Sequence, residues 1–317
     1  MMRSRTLRHL IAALLATTTI ATGRAQDVPT EVTFNISVRG QRLGQEIVTL
    51  ARTADGWLIS STGRQAGPAE FTIDKFEAAY GPDWQPKSLQ LEATRQGQVT
   101  SLSTTFGAAG AVNVMATGAD RRTSTVPVSP RTVMLPNDFF GAYEALAARL
   151  AGAAVGTVIP MYVAPTAEVQ GTVTAITPQR LQTPDALVLL KHYSLTVRNP
   201  AGNVIVDVGV DATGRLARVA VPAAGILVLR SDLSNVMTRD VTFTNATDQS
   251  VFIPALGFTI AATTTAPEQA AGPLPAVVLV GGVNSADRDE TIAGVTIHGQ
   301  LAGALAKAGF LVVRYDK

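Results

Sequence analysis

The sequence predicts an α+β chain of more than one domain: an antiparallel β domain carrying one helix, followed by the start of a parallel α/β segment. Three observations predict it. Apolar and polar residues alternate with period two through most of the chain. A single stretch, Phe139, Tyr143, Leu146 and Leu150, interrupts that rhythm at helical spacing. From Leu274 onward two short, continuously apolar runs, Ala276–Val280 and Phe310–Tyr315, flank an amphipathic segment, the pattern of a βαβ unit.

The first 25 residues read as an export signal. Arg3, Arg5 and Arg8 form a basic start, Leu10–Ala16 opens an apolar run reaching Ile20, and Gly23-Arg24-Ala25 supplies small residues before a cut at Gln26. The run is too short and Thr-rich to be a stable membrane anchor. A cleaved signal makes the working protein periplasmic or secreted. It also removes four of the 26 basic residues, leaving 22 against 24 acidic ones, a net charge of −2. No Lys/Arg block is present, so a nucleic-acid partner is not expected. With no Cys, stability must come from a packed core rather than disulfides.

Residues 26–233 form the predicted β domain. Val32, Phe34, Ile36 and Val38 alternate with Thr33, Asn35 and Ser37, and similar runs follow at Ile47–Ala51, Trp57–Ser61, Phe71–Phe76, Leu89–Ala93, Val99–Phe106 and Val112–Met115. Turn material separates them at residues 39–44, 54–56, 81–83 and 96–98. Pro136-Asn137-Asp138 is a start signal for the helix, which ends before Gly152. Strands resume at Val158–Val163, Val169–Ile176, Ala186–Val197, Val204–Val210, Leu216–Val221 and Ile226–Leu229, with a hairpin turn at Asp211–Gly214. Residues 234–274 read as leading strands (Val241–Phe243, Val251–Ile253, Gly257–Ala262) and a linker. Residues 275–317 hold the βαβ unit. Two strands and a helix cannot cover a doubly wound sheet, so the chain reads as the front of a longer protein.

The C-terminal run L-P-A-V-V-L-V-G-G-V-N-S-A-D-R-D-E, the segment L-A-G-A-L-A-K-A-G and F-L-V-V-R-Y-D-K resemble the start of an α/β-hydrolase domain of the exported dienelactone-hydrolase and serine-aminopeptidase type. The resemblance spans roughly Val241–Lys317. It implies an oxyanion turn at Gly281-Gly282 with Val283 as the backbone N–H donor, since glycines admit close approach and a fixed amide must face the developing charge. It implies a small-molecule ester or peptide substrate. It also makes Asp316 a loop-fixing residue, while Asp287-Arg288-Asp289-Glu290 reads as a solvated charge cluster. No G-x-S-x-G elbow occurs, and the nucleophile, acid and catalytic His are absent. The chain alone is therefore expected to be inactive as a hydrolase.

Beyond the signal the only histidines are His192, read as a structural residue of a strand, and His298, at the head of the crossover helix. Neither is placed as a general base, and two isolated His with no Cys argue for no metal site and no cofactor. The β domain resembles exported half-barrels of the lipoprotein-carrier-like kind, which implies a curved sheet gripping the helix over Asn137–Ala151. The second reading of the chain is therefore a non-enzymatic β domain that binds an apolar ligand or a partner. Trp57, Tyr80 and Trp84 are read as core or rim aromatics rather than a sugar platform.

Overall fold

The structure is a computed structural model describing residues 30–66, 70–184, 186–199, 202–234, 238–270, 272–282 and 287–316. Eight strands form an antiparallel meander: β1 (Thr30–Val38), β2 (Gln41–Thr53), β3 (Gly56–Gln65), β4 (Phe71–Tyr80), β5 (Pro86–Arg95), β6 (Gln98–Gly107), β7 (Gly110–Thr117) and β8 (Asp120–Val126). The chain then crosses to the opposite edge. There the two-residue β9 (Val133–Met134) precedes a 3-10 turn, Phe140–Ala142, and helix α1 (Tyr143–Leu150). A second meander runs back through β10 (Val158–Val163), β11 (Ala167–Gln182), β12 (Leu187–Asn199), β13 (Gly202–Asp211), β14 (Leu216–Val221) and β15 (Ile226–Arg230). β15 pairs antiparallel with β1, so the two meanders fuse into one sheet, and β16 (Arg239–Asp240) adds to it on β11.

Most strands of the large sheet place an apolar row on the face that holds α1. Phe34, Ile36, Val48, Ile59, Phe76, Tyr193, Leu195 and Val208 are all buried in one core with Leu146 and Leu150 of the helix. Burial of these rows supplies the dominant stabilisation, about 1.5–3 kcal/mol for each large apolar side chain. Polar ties curl the sheet. Tyr80 on β4 accepts from the Met134 amide of β9 (2.9 Å). Tyr162 on β10 donates to Asn113 of β7 (2.7 Å), which also accepts from Thr104 of β6 (2.7 Å). Trp57 and Trp84 stack at 5.1 Å with Tyr80 5.5 Å from Trp84, so the three aromatics form one cluster.

The rest of the chain forms a four-stranded sheet, β17 (Asp248–Ala255), β18 (Phe258–Thr265), β19 (Ala276–Leu279) and β22 (Leu311–Tyr315), in the order β17-β18-β22-β19. A two-stranded ribbon, β20 (Thr291–Ile292) and β21 (Val295–Thr296), leads into helix α2 (Ile297–Lys307). β19 and β22 pair in parallel, while β17, β18 and β22 pair antiparallel.

The structure corrects the hydrolase resemblance. Strands hold 61% of the described residues, and the two helices are short, of 8 and 11 residues. One parallel pair inside a small mixed sheet is not the start of an α/β-hydrolase. The coarse fold statement stands: a predominantly β chain with a large antiparallel sheet and one helix seated on it.

Two local expectations are also corrected. Val241–Phe243 is not a strand, since the pairing with β11 is made by Arg239 and Asp240, and Phe243 instead lies under the Arg180 guanidinium at 4.7 Å. Arg288 and Asp289 are not solvated: both are buried, Arg288 by its bonds to Asp316 and to Thr263 (2.9 Å).

Candidate functional site: the helix and the hollow beside it

Helix α1 is held on the sheet by carboxylates rather than by its own start signal. Asp138 has φ +69° and makes no cap, and the turn leading into the helix has no side-chain cap from its own sequence neighbours. Glu46 of β2 does this work from 94 residues away, accepting from the amides of Phe140 (2.8 Å) and Gly141 (2.9 Å), and from the Ser61 hydroxyl (2.6 Å). Unpaired N–H groups at a helix start need an acceptor, and a carboxylate is a strong one. Gly141 permits the approach, because a Cβ there would lie 2.7 Å from Glu46 Oε1 and 2.9 Å from Val48 Cγ2.

A second carboxylate runs the other way. Glu144 on α1 is buried and accepts from Arg215 Nε (3.1 Å) and Nη2 (2.8 Å) and from the Leu216 amide (3.1 Å). The helix is therefore clamped to β2 on one side and to β14 on the other.

Burial pushes the Glu46 carboxyl up to about 7, against the lowering pull of Ser61, Gly141 and Phe140. Between its ordinary value of 4.5 and about 7 the folded chain keeps this proton while the unfolded chain loses it. Stability should therefore fall as pH rises through that window and level off above it, by on the order of 3 kcal/mol. Glu46→Gln, neutral at every pH, removes this slope. Urea unfolding at pH 5 and pH 8 checks it, and a slope equal in both chains would place the titration on another group.

The helix covers only part of the concave face. Beside its N-terminal end lies a hollow of about 460 Å³. Its wall is built from cross-strand apolar pairs: Met161 opposite Val169, Val197 opposite Val204, Leu195 opposite Val206, and Val221 opposite Ile226. Gly171 lets Met161 pack down onto β11, because a Cβ there would lie 2.6 Å from Met161 Cε. Phe139, Phe140, Tyr143 and Leu146 form the helix side, and burial pushes the Tyr143 hydroxyl up to about 12. Exposed Asn137 and Asp138 form a polar lip, tied down by Arg95 on the Asp138 carboxylate (2.7 Å) and by Gln65 on its carbonyl (3.3 Å). Val163, Val169, Val197, Val204, Val221 and Ile226 face this space only half-buried, whereas the matching row on β1–β3 is sealed beneath the helix start.

The residues singled out in the sequence lie elsewhere. Gly281 and Gly282 follow β19, and the Gly282 amide donates to the Glu290 carboxylate. Val283 lies outside the described residues, as does the signal segment. His298 Nε2 is 3.4 Å from Glu290, and His192 Nε2 is 3.6 Å from Asp207. Asp316 pairs with Arg288 and with Arg239. Among the described residues no group of three His, Cys, Asp or Glu could hold a metal ion, and no helix is long and apolar enough to cross a membrane. The sequence reading allowed an apolar ligand on the β domain but did not locate this hollow. Its only sequence signal is the alternation of Val and Ile on β10–β15, which marks a face and not a vacancy.

Comparison with protein-family models, with curated proteins and with solved structures found no match to this chain.

Proposed function

We propose that the chain is an exported, non-enzymatic binding protein that takes one apolar, chain-like ligand into the hollow beside α1. The observation that carries this reading is the half-buried wall of Val163, Val169, Val197, Val204, Val221 and Ile226 around about 460 Å³ of space. Ligand sites are apolar hollows of this size with a few polar groups at the mouth. A smooth wall of branched aliphatic side chains with polar groups only at the lip selects a flexible hydrocarbon chain over a polar solute. Export rests on the basic and apolar segments of residues 1–25, which carry the composition of a cleaved signal.

Each methylene moved from water into such a wall contributes about 0.8 kcal/mol, so affinity should tighten about fourfold per added carbon until the hollow is filled. A series of n-alkanols from octanol to tetradecanol, competing with Nile red, measures that dependence. Val204→Trp fills the hollow from β13 and should weaken the competition at least tenfold. A flat chain-length series, or undiminished binding in V204W, would sink the proposal.

A further inference from the structure

A second hollow of about 700 Å³ lies past the other end of α1, near Ala151, where β11, β12 and β13 run on beyond the helix. Ile176, Leu189, Tyr193 and Val210 give it an apolar floor, and Lys191 and Asp211 stand among them. It shares none of its lining residues with the first hollow, from which Tyr193 is two residues removed along β12.

Two features separate this hollow from an ordinary dent in the sheet. Tyr193 is fully buried, yet its hydroxyl has no hydrogen-bond partner. Buried hydroxyls in native proteins are almost always paired, so this is a donor without an acceptor. The Lys191 ammonium lies 5.2 Å from the centroid of the same ring, and among the described residues it pairs with no carboxylate. Leu189, one step further out on the same side of β12, is 57% exposed, an apolar side chain left in water at the rim.

Asp211 does not supply the missing partner. Its Oδ1 accepts from the Thr213 amide (2.9 Å), the Thr213 hydroxyl (2.7 Å) and the Arg215 amide (3.1 Å), and its Oδ2 from Arg230 (2.6 Å). That carboxylate is neutralised by Arg230 of β15 and held by the donors of its own hairpin. The carbonyls at the end of α1 are engaged too, Ala147 by the Ala151 amide (3.1 Å) and Leu150 by the Ala153 amide (2.9 Å). Two of the lining residues thus carry polar groups with no hydrogen-bonding or charged protein partner among the described residues: the exposed Lys191 ammonium above the Tyr193 ring, and the buried Tyr193 hydroxyl.

We infer that this second hollow binds a single-chain anionic amphiphile, with the head between Lys191 and the Tyr193 hydroxyl and the chain along Ile176, Leu189 and Val210. A charged head that accepts two hydrogen bonds satisfies both groups at once. A neutral alcohol satisfies only the tyrosine and leaves the cation unpaired.

Calorimetric titration of the full chain with laurate, and in parallel with dodecanol, tests this in the V204W background, where the first hollow is closed. Laurate should still bind at one site, at least tenfold tighter than dodecanol. Lys191→Gln and Tyr193→Phe should each weaken laurate about tenfold, the loss of one charge-assisted contact. K191Q should leave dodecanol unchanged. Lys191 is exposed and Phe is nearly isosteric with Tyr, so neither variant threatens the fold. Absence of laurate binding to V204W, equal affinity for laurate and dodecanol, or affinity unmoved in both K191Q and Y193F would overturn the inference. Because the first hollow is read by the difference between the wild-type chain and V204W, failure of either site is seen independently of the other.

Discussion

Arg215→Ala is expected to destabilise the large sheet by about 3–5 kcal/mol, the range for removing one partner of a buried ion pair. Arg215 meets both oxygens of Glu144, whose side chain is 1% exposed. Without the guanidinium the carboxylate keeps only the Leu216 amide as donor, and it cannot reach water without lifting α1 off β14. With a urea slope of about 3 kcal/mol per molar, the unfolding midpoint should fall by about 1–2 M. The sharper test is the double variant. Glu144→Leu combined with Arg215→Met removes both charges and keeps the volume, and should recover most of the loss, because the cost lies in the orphaned charge and not in missing contact area. If R215A shifts the midpoint by less than a few tenths molar, Glu144 is not the anchor its geometry describes. The same variant reports on function. Tyr143 and Leu146 line the hollow from the helix that Glu144 clamps, so R215A should also weaken alkanol binding while V204W leaves stability nearly unchanged.

Much of the large sheet was legible as pattern. Val158–Val163 and Leu216–Val221 are strands with the bounds read from the sequence, because each is a mostly apolar run set between turn residues. β8 was not legible: Asp-Arg-Arg-Thr-Ser-Thr-Val carries no apolar row, and as the edge strand, exposed along almost its whole length, it needs none. The helix start shows a different limit. Pro136-Asn137-Asp138 has the right composition for a cap, yet the acceptor is Glu46, brought there only when β2 and the helix meet. A non-local cap leaves no local signal. The small sheet divides in the same way. The parallel pair β19–β22 and the helix between them follow from two apolar runs and their spacing, but which strands flank β22 does not, and β18 takes the other side antiparallel. Arg288 was misread because four consecutive charges look solvated in sequence, while Asp316, 28 residues on, is what allows that arginine to be buried. The candidate site was the least legible part, since alternation tells which face of a strand is apolar and says nothing about how far one short helix will cover it.

Arg314→Met is expected to have the largest effect of any single substitution, confined to the four-stranded sheet. Arg314 is fully buried in β22 between two carboxylates: its Nη2 lies 2.9 Å from Asp248 Oδ1, and its Nη1 pairs with Asp289. Thr265 lies between these groups, and Gly299 of α2 packs so closely that a Cβ there would sit 3.0 Å from Arg314 Nη1. Methionine leaves two acidic side chains facing each other in the dry centre of the sheet, at a cost of about 3–5 kcal/mol for each broken pair. Burial already raises the Asp289 carboxyl above its ordinary value, and Arg314 is the principal charge pulling it back down. Removing that charge raises it further. The variant's folded state then holds a proton that its unfolded state has released, so its stability falls as pH rises. The defect should therefore be smaller at pH 5 than at pH 8. Amide exchange resolves the two sheets: protection on β17, β18 and β22 should drop sharply at pH 8 while β1–β15 keep theirs. Adding Asp248→Asn and Asp289→Asn to R314M should restore most of that protection. Equal loss at both pH values, or loss spread over both sheets, would show that these carboxylates do not hold the C-terminal sheet together through Arg314.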